Sequence, residues 1–160
     1  MKGLCYETIE ISKIQDGVMT DYEVRNSPNS QRALIEAEQE GLLVVFPEPN
    51  QLQLDFDTEH QYNVYRELYP IIDKYYSIME EQVTPSRSGL PHRHVTVTLG
   101  ITLNNYQRIA IQACLGSDRV RELLSVIQED NKDPHPTLFL EKKPAQLTEG
   151  EVPSELLLGE

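Results

Sequence analysis

The chain has 160 residues, a formal net charge of −12, two cysteines and no tryptophan. That length fits one domain with a substantial core, and no run of eighteen apolar residues or apolar leader suggests a membrane span or export signal. The expected setting is therefore the cytoplasm, with no membrane partner. Cys5 and Cys114 lie far apart and match no zinc spacing, which fits free thiols in a reducing compartment; a disulfide between them stays open.

The pattern predicts an α/β (α+β) domain over 1–143, built on a mixed central sheet flanked by helices, and an acidic, disordered tail over 144–160. The segments YETIEIS and DYEVRN read as N-terminal strands. SQRALIEAEQEG reads as a helix capped by Ser30 and stopped by Gly41, and LLVVF as a strand buried on both faces. After the turn PEPNQ, the segment LQLDFD alternates Leu52, Leu54 and Phe56 with Gln53, Asp55 and Asp57, as in a strand with one apolar face.

A helix is predicted from Glu59 through Gln82, opened by a capping box from Thr58 to Gln61 and kinked or divided at Pro70. HVTVTLGITL gives a strand, a turn and a possible second strand. Two short helices follow, NNYQRIAIQACLG and SDRVRELLSVIQED, broken at Gly116 and restarted by Ser117. PTLFLEK is a final strand. From Pro144 the chain carries four acids, no base and two prolines, the composition of a loosely held tail.

A net charge of −12 argues against a general nucleic-acid surface. Between Ser86 and Arg121, however, there are five arginines (87, 93, 108, 119 and 121) and one acid, Asp118. Such local positive charge suits a phosphate site. The Ser86–Pro91 loop offers hydroxyls and backbone amides, and Arg87 and Arg93 could clamp an anion between them. His92 and His94 would donate from the following strand. Asp55 and Asp57, about 7 Å apart along one strand face, are hard oxygen ligands suited to Mg²⁺ or Mn²⁺. Glu141, ending the last strand, is a candidate third acid. As plain surface chemistry, the same residues would be solvent-facing strand and loop positions.

The order of LDFD, a helix, SRSGLPHRHV and LFLEK resembles the catalytic core of the archaeo-eukaryotic primase (primase-polymerase) superfamily, over about residues 42–142. The resemblance implies catalytic, metal-binding acids at Asp55, Asp57 and Glu141, with His94, and next His92, contacting the incoming nucleotide. Ser86, Arg87, Ser88, Arg93 and Arg119 join the expected nucleotide site. The implied chemistry is metal-dependent nucleotidyl transfer from a nucleoside triphosphate to a 3′ hydroxyl, with DNA or RNA as a further partner. The third acid is Glu where Asp is commoner, and no zinc-binding cluster accompanies it.

Two other readings stand beside this one. HVTVTL and HPTLFL are both H-x-T-x-h and resemble the two-histidine phosphoesterases, with His94/Thr96 and His135/Thr137 as the paired motifs. Only 41 positions separate the histidines, and His135 lies between two prolines. Alternatively, the acidic chain is a non-enzymatic protein that mimics nucleic acid or sequesters a nucleotide. The sequence leaves oligomeric state open.

Overall fold

A computed structural model describes residues 29–143. YETIEIS, DYEVRN, Cys5 and the acidic tail therefore lie outside the described residues. The elements run α1 (Asn29–Glu40), β1 (Leu42–Val45), β2 (Gln51–Phe56), α2 (Glu59–Tyr76), β3 (Ile78–Pro85), β4 (Arg93–Leu99), α3 (Asn105–Cys114), α4 (Arg119–Asp130) and β5 (Phe139–Lys142). This is the α+β class that the pattern predicts. Its described strands form two small antiparallel sheets, β2-β4-β3 and β1-β5, in place of a single mixed one. No helix among the described residues is long and apolar enough to cross a membrane.

One face of the three-stranded sheet is apolar because its residues alternate. Leu52, Leu54 and Phe56 of β2 and Val95, Val97 and Leu99 of β4 are all buried, and helix α2 covers them. Tyr65 is fully enclosed there, with Tyr62, Leu68, Tyr69 and Ile72 around it. Each such Leu or Phe contributes about 1.5–3 kcal/mol on burial. The Thr58–Gln61 capping box is formed and opens α2. The helix continues through Pro70, which lies on its exposed side.

The predicted continuation of that helix to Gln82 is wrong. Ser77 takes a positive φ of 56°, its amide donates to Asp73 O, and Asp73 Oδ1 accepts from Ile78 N–H. The chain then leaves as β3 and pairs with β4 from Ile78 to Pro85. The helical spacing of Tyr75 and Ile78 misled because strand pairing is a non-local gain that local spacing does not reveal. Tyr65 Oη donates to Glu81 and Arg66 pairs with the same carboxylate, tying α2 to β3.

Smaller differences follow the same rule. Strand β1 is not buried on both faces: it pairs with β5 in a two-stranded ribbon, and Leu43 is half-exposed. After Leu99 the chain bends into a loop instead of a second strand. Helix α1, described over Asn29–Glu40, contains Ser30 instead of being capped by it, and Gly41 ends it at φ 65°. Asp118, not Ser117, caps α4, its Oδ1 accepting from Arg121 N–H.

Among the described strands, β2 pairs with β4 alone, and α3, α4 and their linker bond its other side. Gln51 O accepts from Arg108 Nε, and Gln53 N–H donates to Gln112 Oε1. Gln53 O accepts from Arg121 Nη1, Asp55 N–H donates to Ser117 Oγ, and Asp55 O accepts from Asp118 N–H. Buried main-chain groups need such partners, and the strand that carries Asp55 and leads into Asp57 is thereby held on both sides.

The linker's geometry depends on Gly116, at φ 91°, where an added Cβ would lie 3.1 Å from Gln61 O and 3.5 Å from Val64 Cγ1. Gly116→Ala is expected to cost about 1–3 kcal/mol through backbone strain. A thermal melt within error of the parent would show that the linker tolerates the residue.

Candidate functional site

The face of β2 and β4 opposite the apolar core carries the polar residues. Asp55 pairs in register with His94 and Gln53 with Thr96, so the alternation that buries Leu54 and Phe56 turns Asp55 toward His94. One position beyond the strand, Asp57 Oδ1 lies 3.0 Å from His92 Nδ1. The two acids and two histidines thus meet across neighbouring strands.

They open onto a cavity of about 350 Å³ lined by Asp55, Asp57, Ser86, Arg87, Ser88, His92, His94, Arg121 and the Leu138–Leu140 segment. Its volume falls within the usual range for small-molecule sites. Four separate parts of the sequence supply it: 55–57, 86–94, Arg121 and 138–140.

His94 is fixed on three sides. Its ring stacks on Phe139 with centroids 4.0 Å apart and planes 2° from parallel. Nδ1 lies 3.4 Å from Glu141 Oε1, and Nε2 lies 3.8 Å from Asp55 Oδ1. Glu141 consequently supports the histidine from behind. Among the described residues no three His, Cys, Asp or Glu side chains gather as a metal-ligand set. Asp55 and Asp57 are the two carboxylates that line the cavity, and one or two is the number that Mg²⁺ commonly takes from a protein when phosphate and water complete its shell.

Burial pushes the Asp55 carboxyl above its ordinary range. His94 and Arg121 oppose the rise, while Asp57 and Asp118 add to it. An extra positive charge beside Asp55 would favour its ionised form.

The rim is less free than the sequence suggests. Arg87 pairs with Glu40 at 3.0 Å and with Glu36 at 3.5 Å on α1. In the β3–β4 loop, Ser86 N–H donates to His92 O, Ser88 N–H to Ser86 Oγ, Gly89 N–H to Ser86 O and His92 N–H to Gly89 O. Those four amides are occupied within the loop, so an anion there would meet chiefly side chains.

Two expected residues are placed elsewhere. Arg93 sits on the α2 side, 2.9 Å from Glu59, with its guanidinium 4.2 Å from the Tyr62 ring centroid. Arg119 faces a separate groove between α3 and α4. His135 packs against Phe46 with ring centroids 4.2 Å apart and planes tilted by 31°, and Thr137 is buried. Neither lines the cavity that holds His94.

Arg121 is the cavity residue that the motif pattern does not single out. It donates to Gln53 O at 2.7 Å, to Leu138 O at 3.2 Å and to Glu122 Oε1 at 2.6 Å, and lies over the Phe139 ring. It joins β2 to the segment entering β5. A signal was present: Asp118, Arg121, Glu122, Ser125 and Gln128 form a polar stripe at helical spacing.

Comparison with family models, with curated proteins and with solved structures finds no match to this chain.

Proposed function

We propose that the cavity binds a nucleoside triphosphate together with Mg²⁺ or Mn²⁺ and transfers its nucleotidyl group to a 3′ hydroxyl of DNA or RNA, breaking the α–β phosphoanhydride bond and releasing pyrophosphate, as the resemblance to primase-polymerases implies. The observation that carries this reading is one cavity with two carboxylates on one wall and hydroxyls, imidazoles and arginines around the rest. A bound divalent ion would neutralise phosphate charge and position the reacting oxygens. Asp55 and Asp57 hold it in this reading. Ser86, Ser88 and Arg87 receive the distal phosphates, the last by exchanging a glutamate partner for phosphate. His92 and His94 donate to phosphate oxygens, with Glu141 and Phe139 fixing the His94 ring. Arg121 keeps the wall formed by Leu138 against β2.

Thermal melting tests the binding step. A nucleotide–Mn²⁺ pair at about 100 times its dissociation constant adds about 2.7 kcal/mol, and nucleotide without the ion should add much less. Equal stabilisation with and without the ion would remove the metal from the reading. Primer extension with Mn²⁺ then tests transfer; binding without extension would identify a nucleotide-sequestering protein.

His135 separates this reading from a two-histidine phosphoesterase. Because it packs on Phe46 away from the cavity, His135→Ala is expected to leave the nucleotide response within about 0.5 kcal/mol of the parent. Metal-independent phosphodiester cleavage by the parent, abolished in this variant, would favour the phosphoesterase instead.

A further inference from the structure

Helix α4 is inside out. Its buried residues are Glu122, Ser125 and Gln128, while Val120, Leu123 and Leu124 are 66%, 61% and 49% exposed. With half-buried Ile127, the apolar residues recur at the one-face spacing of an amphipathic helix. The buried polar side serves the edge of β2. The outward apolar side is continuous with a groove of about 490 Å³ between α3 and α4, walled by Tyr106, Ile109, Ala110, Ala113 and Val126. A contiguous apolar face of this kind marks an interaction surface more often than bare solvent contact.

The charges beside the stripe indicate the occupant. Arg119 opens the helix and Asp130 closes it, eleven residues later. At 100° per residue both fall on the flank facing Tyr106, about 16 Å apart along the axis. Tyr106 donates to Asp130. When a helix packs antiparallel on its own copy about a twofold axis, like flanks meet and the two ends exchange places. Centred on the midpoint of α4, that operation sets Arg119 against the partner's Asp130 twice over. Leu123 and Leu124 fall near the axis, and the helix dipoles oppose favourably.

We infer that α4 is a homodimerisation surface, on which a second copy of this chain packs its own α4 antiparallel, with Leu123 and Leu124 at the centre and reciprocal Arg119–Asp130 pairs at the ends. Two twelve-residue helices are each about 18 Å long, so the contact belongs to the small, concentration-dependent class of interfaces.

The test is sedimentation equilibrium of the full chain from about 1 µM to about 500 µM, a range that brackets micromolar dissociation constants. A monomer–dimer equilibrium is expected. Leu123→Glu should raise the dissociation constant at least about tenfold, as loss of a central apolar contact does. Arg119→Glu should weaken association, and adding Asp130→Arg to it should restore association, since the swap recreates both pairs. A chain monomeric throughout this range overturns the inference, as does a dimer indifferent to Leu123→Glu. So does a monomer whose melting temperature falls on Leu123→Glu, because that result places a segment of the same chain over the stripe.

Discussion

Replacing Glu122 with alanine should lower the melting temperature by about 10 °C, from a loss of about 3–5 kcal/mol. Glu122 is 2% exposed and accepts from Gln112 Nε2, Ser117 Oγ and Arg121 Nη1. Each of these residues also holds a main-chain group of β2. Alanine would leave three buried donors short of an acceptor, one of them a guanidinium, and would loosen the strand that bears Asp55.

Burial also raises the Glu122 carboxyl above its ordinary pKa, against the pull of Arg121, Gln112 and Ser117. The sign follows from proton binding: the folded state holds this proton more firmly than the unfolded state. Its contribution therefore falls as pH rises from the ordinary glutamate range through the raised value, and stays flat above it. Glu122→Gln should remove that slope while costing less than alanine, since the amide retains one acceptor oxygen. Melting curves across that pH range would check both statements; an alanine variant as stable as the parent would show that the network does not hold the strand.

The second large effect concerns ligand response. Asp55→Asn combined with Asp57→Asn should abolish the gain of about 2.7 kcal/mol expected from Mn²⁺ and nucleotide at 100-fold excess over the dissociation constant. The ion-free protein should melt slightly higher. Asp55 is desolvated, and Asp57 and Asp118 disfavour its charge further, so an uncharged isostere relieves a cost that the ionised form carries at neutral pH. Sites built for ligands commonly sacrifice stability in this way. His94→Ala should weaken the nucleotide response while sparing any response to the ion alone. Full stabilisation of the double aspartate variant by Mn²⁺ and nucleotide would rule out this site.

Much of the site's wall is legible in sequence because strand alternation is strict. Once Leu52, Leu54 and Phe56 face a core, Asp55 must face the other way, and the same logic aligns His92 and His94. The capping residues at Thr58 and Gln61 similarly announce where α2 begins. Strand β3 was not legible, since MEEQ carries no local feature that opposes a helix; its pairing partner lies on β4. Nor was the role of α4. Hydrophobic periodicity would turn Leu123 and Leu124 inward, but the edge of β2 offers unpaired amides and carbonyls, which Arg121, Ser117 and the Glu122 network satisfy. That demand comes from another part of the chain, and it rotates the helix. Arg119 was misplaced for the same reason, and Arg93 because its strand alternates it onto the α2 side.

The sealing of β2 by side chains also determines how its amides trade protons with solvent. In an ordinary ladder a backbone amide is released only when a neighbouring strand departs, so exchange reports an opening of many residues at once. Here the amide of Gln53 rests on Gln112 and that of Asp55 on Ser117. Truncating one side chain should therefore let deuterium in at a single position while the rest of the strand remains closed to it, making the candidate site readable one amide at a time.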